Sequence, residues 1–236
     1  MTEQIIETEN KFDVRTVMTV MVALAVGLWV TGFVLPEWLP GLRQSILGED
    51  IKMYWYISRG SAIFAYVFLW FSMILGLLLS NRLAKIWLGG RLTNEFHNFF
   101  SILGLLFSAL HAVILIGDSY LGLNLLNVLA PFGVSNYKPV WVALGQIGLY
   151  LWLMLVISFY IRKSLGHASW RMVHYSSFLL FVLALLHGIF SGSDTGSIGM
   201  VSLYWISAAS TMFFVVFRIL TSLFSRIVKV QEAMQR

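Results

Sequence analysis

The chain has 236 residues, 58% of them hydrophobic and 11% charged, whereas a soluble domain carries about a quarter of its residues as charges. Too few polar side chains are present to coat a water-soluble globule. The formal net charge of +5 sits in short basic clusters between long apolar runs, which marks orientation in a membrane and sets nucleic-acid binding aside.

In chain order, an acidic leader with Glu3, Glu7, Glu9 and Asp13 precedes the first apolar run, Thr16–Leu35. Pro36-Glu37-Trp38 follows it without a small-residue cleavage pattern, so it reads as a membrane helix and not as a signal peptide. Five further runs lie at Ser61–Leu79, Phe96–Ile116, Val140–Ile161, Val173–Phe190 and Met200–Leu223. Each is long enough to cross about 30 Å of hydrocarbon. Helices are expected throughout, because open strands leave backbone groups unpaired in lipid. The expected fold is an all-α bundle of six transmembrane helices over residues 16–224, between a cytoplasmic segment 1–15 and a short tail 225–236.

Charge sets the orientation. With both termini inside, the inner segments hold twelve basic residues: Lys11, Arg15, Arg82, Lys85, Arg91, Arg162, Lys163, Arg171, Arg218, Arg226, Lys229 and Arg236. The outer segments hold four, Arg43, Lys52, Arg59 and Lys138. This positive-inside bias predicts a multi-pass protein of the plasma membrane with both termini cytoplasmic. Residues 36–57 and 117–139 form the longer outer connections, and the stretch Tyr120–Leu126 reads as a short interfacial helix. No internal repeat or second domain is evident.

The chemistry concentrates on histidine. Four of five histidines fall inside the third and fifth runs, and ionisable groups at membrane depth are costly and usually functional. His97 and His111 are 14 residues apart, roughly 21 Å of rise and about four turns, so they face nearly one way at two depths. Gly104 falls midway, where a missing side chain admits something bulky. His174 and His187 are 13 apart, which matches the depths but leaves their rings more than about a third of a turn apart on an ideal helix. A local distortion or laterally offset cofactors must absorb that difference.

Both helices run from inside to outside, so His97 pairs in depth with His174, and His111 with His187. Facing imidazoles are good axial ligands for haem iron and leave no open iron position, which suits electron transfer. Two non-covalent b haems per chain are therefore expected. The absence of cysteine excludes disulfides, thiolate-ligated haem and covalent c-type attachment. Arg59, Arg91 and Arg171 are candidate partners for haem propionates, although Arg91 and Arg171 serve the positive-inside bias equally well. Phe99, Phe100, Phe178 and Phe181 are candidates to line the cofactor faces or simply to pack. His167 lies in a basic inner loop and receives no role. A haem-free proton relay through the same histidines is the competing reading from another class.

At Glu95-Phe96-His97 through Leu110-His111, and at Ser169-Trp170-Arg171-Met172-Val173-His174 through Leu186-His187-Gly188, the chain resembles the ferric reductase-like transmembrane domain of metalloreductases and NADPH oxidases. The resemblance spans about residues 54 to 223. It implies an inner haem on His97 and His174, an outer haem on His111 and His187, and electrons leaving outward to ferric iron or oxygen. The fused members carry a cytoplasmic flavin and nicotinamide module, and no G-x-G-x-x-G motif follows a strand here. The expectation is thus a membrane oxidoreductase subunit with no flavin or NAD(P) site, served by a separate flavoprotein. The haem subunit of the bacterial methionine-sulfoxide repair system is similarly short but lacks a histidine matching His97. The alternative is a subunit of a larger respiratory or repair complex, exchanging electrons with quinone or a periplasmic partner alongside other membrane subunits.

Overall fold

The computed structural model describes residues 53–81, 83–87, 89–118 and 121–234. The first expected span, Thr16–Leu35, falls outside them, as does segment 36–52 of the first outer connection. All regular elements among the described residues are helical: α1 (Met53–Ser80), α2 (Ala84–Trp87), α3 (Gly90–Ile114), α4 (Leu125–Leu129), α5 (Pro139–Tyr160), α6 (Arg162–Leu165), α7 (His167–Tyr175), α8 (Ser177–Ser191) and α9 (Ile198–Met234). Five helical stretches are long and apolar enough to cross a membrane: Met53–Ser80, Gly90–Gly117, Pro139–Tyr160, His167–Ser191 and Ile198–Ser225. They correspond to the second through sixth expected spans. The last helix continues to Met234, where a separate tail was expected from residue 225.

Local chemistry sets the helix ends. Gly89 holds φ at 78° before α3, a conformation favourable only without a side chain. Thr93 closes that first turn by donating its hydroxyl to the Gly89 carbonyl at 2.7 Å. α3 tightens into a 3₁₀ turn at Leu115–Gly117, and α5 opens on Pro139, whose missing N–H costs nothing in the first turn. The expected outer helix begins a few residues later than its apolar pattern suggested. Asn124 and Asn127 form a reciprocal capping box, and this polar pair places the start of α4 at Leu125.

α8 packs along α5, and a buried cluster of Tyr66, Leu69, Met73, Trp152, Leu155, Leu180, Phe181 and Tyr204 ties α1, α5, α8 and α9 together. A polar seam joins α1 to α9. The hydroxyls of Tyr66 and Ser207 lie 2.6 Å apart, the Trp70 indole donates to Ser210 at 2.9 Å, and the Asn81 amide donates to the Phe214 carbonyl at 3.3 Å. Such bonds hold membrane helices together where lipid removes the hydrophobic drive for association. Large apolar side chains such as Phe99, Leu106, Trp205 and Phe213 point outward, as a lipid-facing surface requires.

One end of the bundle carries a cap, residues 121–137, strapped down by side chains reaching its backbone. The Gln146 amide of α5 donates to the carbonyls of Asn127 and Val128 at 2.7 and 2.9 Å. The Tyr150 hydroxyl donates to the Leu129 carbonyl at 2.5 Å. From the cap itself, the Tyr137 hydroxyl donates to the Ser191 carbonyl at the end of α8, at 2.8 Å.

Candidate functional site

The histidines meet in two pairs. The ring centres of His97 and His174 are 6.1 Å apart with planes inclined at 73°, and those of His111 and His187 are 6.2 Å apart at 69°. The depth pairing expected from the spacings is therefore the one the bundle makes. The 13-residue interval on the second helix is accommodated by a break at Ser176, between α7 and α8. There the Ser176 N–H and hydroxyl both donate to the Val173 carbonyl, at 3.0 and 2.7 Å. A turn closed at three residues is wound more tightly than an α-helix, and it swings His187 back towards the face that carries His174.

Three of the four rings are oriented by the backbone. The Nδ1–H of His97 donates to the Ser72 carbonyl at 2.8 Å, that of His111 to the Ser58 carbonyl at 2.9 Å, and that of His187 to the Trp141 carbonyl at 2.8 Å. A carbonyl only accepts, so Nδ1 carries the proton and Nε2 keeps its lone pair. This is how metal-ligating histidines are usually held. The hydroxyls of Ser58 and Ser72 also approach the Nδ1 atoms of His111 and His97, at 2.9 and 3.1 Å. His174 is braced differently, with the Trp170 ring stacked on it at 5.0 Å and 25°.

Glycines on neighbouring helices make room for the rings. A side chain at Gly145 would start 2.5 Å from the His187 Nδ1, and one at Gly76 would start 3.2 Å from the His97 Cε1. Gly104 is buried, and the bulky group it admits is Trp152, whose ring would lie 2.6 Å from an added side-chain carbon.

A cavity of about 280 Å³ adjoins the His111–His187 level. Its lining includes Ser58, Arg59, Tyr66, Gln146, Trp152, Gly188, Ser191 and Tyr204. Two buried polar atoms there, Gln146 Oε1 and Ser191 Oγ, have no hydrogen-bond partner among the described residues, and neither has Trp170 Nε1 beside His174.

The expected propionate partners differ in their surroundings. Arg59 lines the cavity, is ion-paired with Asp194 and lies 3.9 Å over the Trp55 ring. Arg91 is exposed and pairs with Glu95 on its own helix at 3.0 Å. Arg171 is exposed and donates to the Tyr175 hydroxyl at 3.1 Å. Phe181 is in the buried core, Phe100 stacks with Phe68 and Phe96, and Phe99 and Phe178 face outward. His167 is exposed. The roles of Ser58, Ser72, Gly76, Gly145 and Trp170 were not anticipated. Ser58 and Ser72 did carry a signal, being 14 residues apart like His97 and His111.

The residues present fit a metal held in a macrocycle. Two imidazoles bonded to one metal, each through nitrogen at about 2 Å, have ring centres roughly 6 Å apart. Among the described residues no three histidine, aspartate or glutamate side chains converge. Each level thus offers two protein ligands, the number taken by an iron already bound in plane by a porphyrin. No protein-family model matches the chain, and neither a curated protein nor a solved structure is significantly similar to it.

Proposed function

We propose that this chain is a membrane cytochrome with two b-type haems, the electron-carrying subunit of a ferric reductase-like oxidoreductase. The observation that carries the reading is the pair of facing imidazoles at each of two levels, 6.1 and 6.2 Å between ring centres. His97 and His174 hold one haem, and His111 and His187 the other. When bound, such a haem would take up and release one electron.

The chain's own residues orient the ligands and keep water from them. The Ser58, Ser72 and Trp141 carbonyls fix three ring tautomers, and Gly76 and Gly145 let the rings seat against α1 and α5. The 14-residue interval on α3 separates the two levels by roughly 21 Å. With the inner side at the basic segments, His97 and His174 would hold the haem nearer a separate cytoplasmic flavoprotein donor, and His111 and His187 the haem nearer an outer acceptor, ferric iron or oxygen.

Pyridine haemochrome analysis of the purified protein tests the reading, with an expected yield of about two non-covalent haems per chain. His97→Ala and His174→Ala should leave the same surviving haem, with one midpoint potential, and His111→Ala and His187→Ala the other. A folded protein without haem would overturn the proposal and promote the histidine proton relay.

A further inference from the structure

Trp170 stands beside the His97–His174 pair with its contacts incomplete. Its ring covers His174, the only paired histidine whose ring nitrogens accept or donate no hydrogen bond among those of the described residues. Its own indole N–H is buried with no partner there. A buried donor left unpaired is costly, so an acceptor is expected at that point. The residues expected to neutralise an anion on this side are engaged elsewhere: Arg91 is exposed and paired with Glu95, and Arg171 is exposed and donates to Tyr175.

The placement says which acceptor. Trp170 precedes His174 by one helical turn on α7, towards the basic segment Arg162–Leu165. A ring stacked on an axial imidazole lies beside the metal–ligand axis, on that ligand's own side of the macrocycle. The anionic groups of a b-type haem are the carboxylates at its periphery. We infer that Trp170 is a positioning residue of the inner haem, its ring bracing His174 and its indole N–H donating to a haem carboxylate. The inference rests on the haem reading above and adds to it a residue with two separable parts.

Two substitutions separate those parts in the haem-loaded, full-length protein. Trp170→Phe keeps a flat ring against His174 and removes the N–H. The carboxylate then keeps more of its charge, the ferric state is favoured, and the inner haem's midpoint potential falls while the outer one stays. Trp170→Leu removes both parts, and the expected yield drops from two haems per chain to about one, the outer haem remaining. The inner signal is identified by its loss in His174→Ala.

A Trp170→Phe protein with both midpoints unchanged would overturn the donor role, whether or not the leucine variant folds. Two firmly held haems in a folded Trp170→Leu protein would overturn the bracing role. Wild-type protein without haem would instead refute the cytochrome reading beneath both, so the two failures are told apart.

Discussion

A methyl group placed on Gly145 of α5 aims at the ring of His187, a proposed haem ligand. The added carbon would lie 2.5 Å from Nδ1, 2.6 Å from Cε1 and 2.8 Å from Cγ of His187. Three atoms of one ring are struck together, so rotation about the ring axis gives no escape, and the ring is tethered to the Trp141 carbonyl at 2.8 Å. Going from 2.5 Å to the 3.4 Å of ordinary contact requires a retreat of about 0.9 Å. Overpacking of this kind costs about 1–3 kcal/mol, which corresponds to roughly a 5- to 150-fold loss of affinity at a site that depends on that ring.

Gly145→Ala should therefore weaken or empty the His111–His187 site and spare the His97–His174 site. Gly148→Ala is the control, because its methyl meets only Leu180 and Leu183 at 3.6 and 3.8 Å, and it should keep both haems. The assay is haem per chain by pyridine haemochrome, with a redox titration to show which haem survives. Two unaltered haems in Gly145→Ala, or loss of the inner haem instead, would refute the assignment of His187 as an outer ligand.

Two further outcomes follow. Tyr66→Phe removes the 2.6 Å contact with Ser207 in the α1–α9 seam and should lower stability by about 0.6–2 kcal/mol; thermal unfolding in detergent checks this, with haem content unchanged. If a flavoprotein docks on the basic inner segments, NADPH alone will not reduce the haems, an added flavin reductase will, and Lys85→Glu with Lys163→Glu will slow that step in a manner that salt mimics; direct reduction by NADPH would contradict it, and rapid reduction by a quinol analogue would favour the respiratory alternative.

Much of this arrangement was legible in one dimension because a membrane simplifies the code. Apolar length alone located the five helices long enough to cross a membrane, and the intervals between histidines placed two facing pairs at matched depths. The 13-residue interval called for a local distortion or laterally offset cofactors, and the break at Ser176 did not show, since it is closed by that residue's own hydroxyl and backbone and not by a breaking residue such as proline. The acceptors that orient His97, His111 and His187 are backbone carbonyls, which no residue letter reports. Gly76 and Gly145 were silent for the same reason: a glycine that makes room for a neighbouring helix looks like any other until that neighbour is in place. Gly104 was recognised as an opening, and only packing could reveal that Trp152 enters it. Arg91 and Arg171 had the right charge in the right region, but each had a nearer partner one turn along its own helix.

The cap over residues 121–137 is moored largely through main-chain oxygens: those of Asn127, Val128 and Leu129 receive Gln146 and Tyr150 of α5, while the Tyr137 side chain reaches α8. Tyr137 and the buried Val128 and Val134 aside, a mooring of that kind does not depend on which side chains the cap displays. Its exposed surface is consequently free to diverge while the helices beneath stay fixed, and variation there can retune which molecule that end of the bundle greets without disturbing the paired histidines. In evolutionary terms the bundle and its cap are separable parts, and related chains sharing these histidines should differ most in the segment facing away from them.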